Sequence, residues 1–262
     1  MNWLIQATER SQFMSSPSPH LQPDTTITAA RSAARSKEIE ALQRLDLARH
    51  CDSAALQRLA PYCALQTFAR RAAIYQNGDE RSAVYGLVEG HIKLLRDDGQ
   101  TKRRALLDIL PPGLLFGEDA LYADGQRNRT AVACDAVTVI QIAKADFQRW
   151  LIEYPAMHHH VLTLLGERLA CAESRIIALA LDGIARRLAR LLVMMAERYG
   201  TALESGEVVI NLKLPHREIA DLVGSTRESV TMHLNDLRRQ KLIDFCDRRI
   251  VITDLAALTA QN

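Results

Sequence analysis

At 262 residues, with 48% hydrophobic and 24% charged residues, the chain is long enough for roughly two domains that each bury a core. The formal net charge of +2 neither requires nor excludes a polyanionic partner, because local charge decides phosphate contact. Aromatic content of 5% offers no stacking platform for single-stranded nucleic acid, and no apolar run approaches the roughly 18 residues that span a bilayer.

The opening Met1-Asn2-Trp3-Leu4-Ile5 lacks the basic flank and apolar stretch of an export signal. Cys51, Cys63, Cys134, Cys171 and Cys246 are scattered, with no CxxC pair. Free thiols in a reducing cytoplasm are therefore expected. Residues 1–36 are rich in Ser, Thr, Pro and Ala and are expected to form a mobile N-terminal tail.

From Lys37 to Leu59 the apolar residues Ile39, Leu42, Leu45 and Leu47 recur on one side, as in a helix. Between Gln66 and Ile142 short apolar runs take over, such as Ala83–Val88 and His91–Leu95. Turn signals separate them: Gln76-Asn77-Gly78-Asp79, Glu89-Gly90, Asp97-Asp98-Gly99-Gln100 and Pro111-Pro112-Gly113. Many short strands at regular spacing predict an antiparallel barrel or sandwich that leaves no bare edge.

Pro155 opens a long helical pattern whose apolar side runs Leu162, Leu165, Leu169, Ala172, Ile176 and Leu179. Alternating steps of three and four predict a coiled-coil seam, hence a homodimer through the 155–182 helix. A helix lying on its own domain's core is the competing reading, but such helices usually carry a wider stripe than one flanked by Glu167 and Arg168. The run His158-His159-His160 points in three directions around a helix, so no metal site is expected there. Asp182-Gly183 is expected to break the helix and serve as a hinge.

After a further helix and a short strand at Val208–Leu212 comes the stretch from Pro215 to Leu237. Pro215 suits a helix start. Ile219, Ala220 and Val223 would bury one face, and Gly224 accepts a left-handed backbone at a turn. Ser225 or Thr226 would cap a second helix, with Glu228 near the capping-box position. Val230, Leu234 and Leu237 would anchor that helix from beneath, leaving Thr226, Arg227, Ser229, Thr231 and Met232 pointing outward. Arg227 suits O6 and N7 of guanine, and Glu228 suits N4 of cytosine. Lys241–Phe245 and Arg249–Ile252 alternate like a hairpin with Asp247-Arg248 at its tip, which is a wing. Arg238, Arg239, Lys241, Arg248 and Arg249 would lie along the phosphates. The expected base-reading and phosphate contacts are Ser225, Thr226, Arg227, Glu228, Thr231, Met232, Arg238 and Arg248.

From about Leu56 to Leu258 the chain resembles the cyclic-AMP receptor and fumarate-nitrate regulator family. Besides the helix-turn-helix, the resemblance rests on Phe116-Gly117-Glu118-Asp119-Ala120-Leu121 followed by Arg129-Thr130-Ala131-Val132-Ala133. That pair of runs is similar to the family's phosphate-binding cassette and implies a cyclic nucleotide, cAMP or another, at Gly117, Glu118, Asp119, Ala120, Arg129 and Thr130. The physical reading is compatible. Gly117 permits close approach of its N–H to an anion, Glu118 would accept from a ribose hydroxyl, and Arg129 would pair with phosphate. An internal Glu118–Arg129 salt bridge is the competing reading.

The sequence departs from the family in three places. By register from Leu181-Asp182, Cys171-Ala172 stand where the family's adenine-reading Thr-Ser would fall. Asp135 replaces a small residue at the end of the cassette, and Met232 replaces a second base-reading arginine. Cys51 and Cys63 are too few and too far apart for an iron–sulfur cluster, and His91 is a poor haem ligand.

The resemblance implies an α+β chain: a double-stranded β-helix (jelly-roll) sensor over 37–154, a dimerisation helix over 155–182, and a winged helix-turn-helix over 183–262. It implies a cytoplasmic regulator of double-stranded DNA with a palindromic operator related to TGTGA, and RNA polymerase as partner if it activates. A nucleotide-binding module acting on a partner protein, or an effector-independent family member, are the alternatives. No nucleophile–base constellation or phosphate-cradling loop suggests an enzyme.

Overall fold

The computed structural model describes residues 35–97 and 104–261. The tail expected at 1–36 lies outside the described residues except for its last two positions, as does the Asp98-Gly99-Gln100 part of the expected turn.

Residues 35–43 form helix α1. A 3-10 turn follows at Asp46–His50, then helix α2 at Ser53–Leu59. Asp52 caps α2, its carboxylate accepting from the Ala55 N–H at 2.8 Å. The helical stretch anticipated over Lys37–Leu59 is therefore interrupted, because Asp52 starts a fresh helix end.

Eight strands come next: β1 (Cys63–Phe68), β2 (Ala73–Tyr75), β3 (Ala83–Glu89), β4 (Ile92–Asp97), β5 (Arg104–Leu110), β6 (Leu115–Phe116), β7 (Thr130–Ala133) and β8 (Val137–Ala143). They build two antiparallel sheets in the orders β1-β8-β3-β6 and β2-β7-β4-β5. Gly78, Gly90 and Gly113, in the anticipated turns, all take positive φ. Leu87, Ile92, Phe116 and Val139 fill one core cluster of the roll. Val84, Ile140 and Ile142 belong to another, with Leu42, Leu56 and Leu59 of the N-terminal helices and Phe147 and Trp150 of α4 (Lys144–Glu153). The short helix α3 (Asp119–Tyr122) sits in the cassette.

Helix α5 spans Pro155–Leu181 without interruption. Its Met157, Val161 and Leu164 pack onto the core shared by the N-terminal helices, the roll and α4. After Asp182 and Gly183, α6 runs Ile184–Tyr199. The remainder comprises β9 (Gly200–Ala202), β10 (Val208–Ile210), α7 (His216–Val223), α8 (Arg227–Arg239), β11 (Ile243–Cys246), β12 (Arg249–Ile252) and α9 (Leu255–Thr259). Its sheet has the order β11-β12-β10-β9. The strand anticipated at Val208–Leu212 ends at Ile210 and pairs with β9, which sequence reading missed because Gly200, Thr201 and Ala202 are all exposed and carry no apolar period.

The two halves share apolar packing. Leu106 and Ile109 of β5 belong to the same buried cluster as Leu188, Leu192, Ile219, Ala220 and Leu234. The Tyr199 hydroxyl donates to the Ile109 carbonyl at 2.6 Å across this boundary.

Candidate nucleic-acid interface and effector cassette

Helix α7 buries Ile219, Ala220 and Val223, and it ends at Gly224, whose φ is +69°. A Cβ at that position would lie 2.5 Å from Leu179 Cδ2, so the turn needs glycine both for its left-handed backbone and for its approach to α5. Arg187 secures the same turn from α6, its Nε donating to the Val223 carbonyl at 2.9 Å. Thr226 then caps α8, its hydroxyl accepting from the Ser229 N–H at 3.2 Å. The third residue of α8 is thus Ser229, and Glu228 falls one position short of a capping box.

Val230, Leu234 and Leu237 are buried beneath α8, each contributing roughly 1.5–3 kcal/mol of apolar burial. Arg227, Glu228 and Met232 are exposed on its outer side. Thr231 is half-buried with its hydroxyl occupied: it donates to the Arg227 carbonyl at 2.8 Å and lies 2.8 Å from His216 Nδ1. Ser225 is half-buried and lines a cleft of about 470 Å³ against Arg96, Asp97 and Arg104 of the β4–β5 hairpin. Arg238 is held by Asp244 at 2.9 Å, with its guanidinium 5.9 Å from the Phe245 ring. Arg248 is exposed at the wing tip, where Asp247 and Arg248 both take positive φ, +47° and +61°, as a two-residue hairpin turn with right-handed strand twist requires.

In the cassette, Gly117 has φ +72° and opens the loop that carries α3. Glu118 is 4% exposed and lies between two arginines: Arg129 Nη1 at 3.9 Å and Arg168, which reaches over from α5. Arg168 also donates to the Leu115 carbonyl at 2.7 Å. The Thr130 hydroxyl accepts from the Asn77 N–H at 3.0 Å, leaving its own hydrogen to donate. Asp119 and Ala120 face inward. Ala120 packs into the sensor core, and Asp119 is bridged by Arg81 Nε at 3.0 Å and Arg127 Nη1 at 2.8 Å.

Sequence reading overlooked Arg127 and Arg81, and took Arg168 only as a flank of the α5 seam. Arg127 is 2% exposed, donates to the Ala83 carbonyl at 2.5 Å and sits 4.0 Å over the Tyr75 ring. A carboxylate at 119, next to a glutamate in an apolar run, was the available signal that a buried cation must lie nearby. Asp135 also finds its role here, accepting from the His91 N–H and pairing with His91 Nδ1, both at 2.8 Å.

The seam residues of α5 divide. Leu162, Leu169, Ile176 and Leu179 are 52–66% exposed, whereas Leu165 leans on its own sensor core. Among the described residues, no three His, Cys, Asp or Glu side chains gather as a metal-ion site, and no helix is long and apolar enough to cross a membrane.

Residues 65–154 match the cyclic nucleotide-binding domain, and residues 186–261 match the Crp-like helix-turn-helix domain. The chain is 33% identical over 201 residues to the global nitrogen regulator of Synechococcus elongatus, covering 75% of this chain and 89% of the relative. The chain belongs to the Crp/Fnr family of transcription regulators. This Crp/Fnr protein is also 26% identical to the CRP-like cAMP-activated global transcriptional regulator of Mycobacterium tuberculosis, over 82% of this chain and 95% of that one. Among solved structures it is similar to a CRP-family transcriptional regulator from Thermus thermophilus, with 30% identity, a TM-score of 0.63, and coverage of 75% of this chain and 95% of that chain. Members of the Crp/Fnr family are regulators rather than enzymes, and the helix-turn-helix implies DNA binding by dimers.

Proposed function

We propose that the chain is a homodimeric, effector-controlled regulator that reads a palindromic operator through α8. The division of that helix into a buried face at Val230, Leu234 and Leu237 and an outer face at Arg227, Glu228 and Met232 carries this reading. Arg227 and Glu228 would take a guanine–cytosine step, while Arg238 and Arg248 follow phosphates. Two copies zipped along Leu162, Leu169 and Ile176 would set their α8 helices about 34 Å apart, on successive major-groove faces. The operator would share that two-fold symmetry and be related to TGTGA. As an activator the dimer would also engage RNA polymerase. It would act in the cytoplasm.

The cassette residues suit the phosphate and sugar of a cyclic nucleotide. Arg129, loosely held at 3.9 Å from Glu118, and the free hydrogen of Thr130 would take the phosphate, and Glu118 the ribose. On the base side, Cys171 and Ala172 bring no hydroxyl pair. A nucleotide claiming Glu118 would compete with Arg168, and Arg168 stands on the dimer helix. That competition would give the ligand different contacts in two dimer states, as effector control requires.

The test is fluorescence anisotropy on a palindromic duplex of two TGTGA half-sites, with cAMP, with cGMP and without nucleotide. The operator should bind more tightly than a scrambled duplex, and Arg227→Ala should weaken the specific complex by about 1–3 kcal/mol. Equal affinity for operator and scrambled duplex would overturn the reading.

A further inference from the structure

The first residue of α7 and the fifth of α8 are tied side chain to side chain. His216 Nδ1 lies 2.8 Å from Thr231 Oγ1, and that oxygen lies 2.8 Å from the carbonyl of Arg227. A threonine hydroxyl has a single hydrogen. Donated to the Arg227 carbonyl, which can only accept, it leaves Oγ1 to accept from His216. Nδ1 must therefore carry a hydrogen, whether the imidazole is neutral or cationic. The hydroxyl is fixed from two sides, and χ1 of Thr231 is fixed with it. The His216 ring in turn packs against Phe245 of the wing strand, with centroids 6.2 Å apart, so α7, α8 and the wing converge on this one contact.

Thr231 stands one helical turn beyond Arg227 on the same stripe of α8, and exposed Met232 follows Glu228 in the same way. On a reading helix, a threonine can address a base through its hydroxyl or through its methyl group. Here protein groups already hold the hydroxyl.

We infer that His216 is a positioning residue for base reading: by occupying the acceptor side of the Thr231 hydroxyl, whose hydrogen the Arg227 carbonyl takes, it leaves the Thr231 methyl to select the 5-methyl group of thymine. The second turn of α8 thus reads an apolar feature of the base next to the polar pair read by Arg227 and Glu228. This inference rests on the assignment of α8 as the DNA-reading helix.

The experiment compares palindromic TGTGA duplexes with versions in which each thymine is replaced in turn by deoxyuridine, which lacks the methyl group. The ratio of the two dissociation constants is internal to each variant, so a change in the folded fraction cancels. The wild-type protein should bind about fourfold less tightly at one thymine position when the methyl group is removed. Thr231→Val should keep that preference, and Thr231→Ser should bring the ratio to about one. His216→Ala, which vacates the acceptor side of the hydroxyl and lets it address a base or water, should lower the ratio towards one. A wild-type ratio of one at every thymine, or an undiminished ratio in His216→Ala, overturns the inference. Arg227→Ala on the unmodified duplex separates the two levels. If it weakens binding while deoxyuridine is silent, only the thymine inference fails; if both are silent, the assignment of α8 fails and takes the inference with it.

Discussion

Lys93 Nζ lies 2.6 Å from Glu218 Oε1, joining strand β4 of the N-terminal roll to the first turn of α7. The side chains are only 19% and 25% exposed, so water screens the pair poorly. Removing either partner leaves the other charge partly buried and unpaired. Lys93→Met and Glu218→Leu should each destabilise the protein, and the double variant should lose less than the sum of the two. The coupling measured by denaturant unfolding should be about 1–2 kcal/mol. A coupling indistinguishable from zero would show the pair to be incidental.

Two arginines in the cassette, Arg127 and Arg129, should behave oppositely. Arg127 is almost wholly buried, with Asp119 depending on it, so Arg127→Met should cost about 3–5 kcal/mol of stability. Arg129 is 29% exposed and loosely paired, so Arg129→Ala should change stability by no more than about 1 kcal/mol. It should nevertheless abolish any heat of cyclic-nucleotide binding seen by calorimetry. Equal losses of melting temperature in the two variants would contradict this division of labour.

The exposed seam on α5 makes a prediction about assembly. Leu169 is 62% exposed and Ile176 65% exposed in the single chain. Leu169→Asp should place a charge in the seam while leaving each chain's own core untouched. Analytical ultracentrifugation should show the variant shifted from dimer to monomer, with operator binding lost alongside. A variant that stays dimeric would move the interface elsewhere.

His160 stacks on His50 with ring centroids 4.3 Å apart, at the contact between α5 and the 3-10 turn. Burial, and secondarily the neighbouring imidazole, pushes its pKa below the ordinary 6.5, against the pull of Asp46 and Glu167. Below pH 6.5 the unfolded chain therefore takes up this proton before the folded one does. Stability should decline as the pH falls from 6.5 through the lowered pKa and be insensitive to this group above 6.5. Melting temperatures across that range should fall less steeply for His160→Phe than for wild type; parallel curves would rule the histidine out as the cause.

Amphipathic spacing made much of the reader legible: Ile219, Ala220, Val223, Val230, Leu234 and Leu237 are buried where their periodicity placed them. Gly224 was legible for a different reason, since a left-handed turn narrows the choice of residue. Contacts between distant segments left no such trace. The partner of Arg127 at Ala83 and the partner of Glu118 at Arg168 depend on how the roll closes and how α5 lies against it, which no local pattern encodes. The His216–Thr231 tie was hidden likewise: Thr231 read as an outward DNA contact, and no local pattern linked it to His216 at the start of another helix.

Leu106 and Ile109, although they belong to the N-terminal roll, finish the packing around α6 and α7. Cutting the chain at the Asp182-Gly183 joint would strip that cover and leave a greasy scar on both fragments. Anyone grafting this reader onto a foreign sensor would have to bring along a β5 with matching apolar side chains. The transferable piece is a patchwork of two sequence regions, not the tail end of the chain.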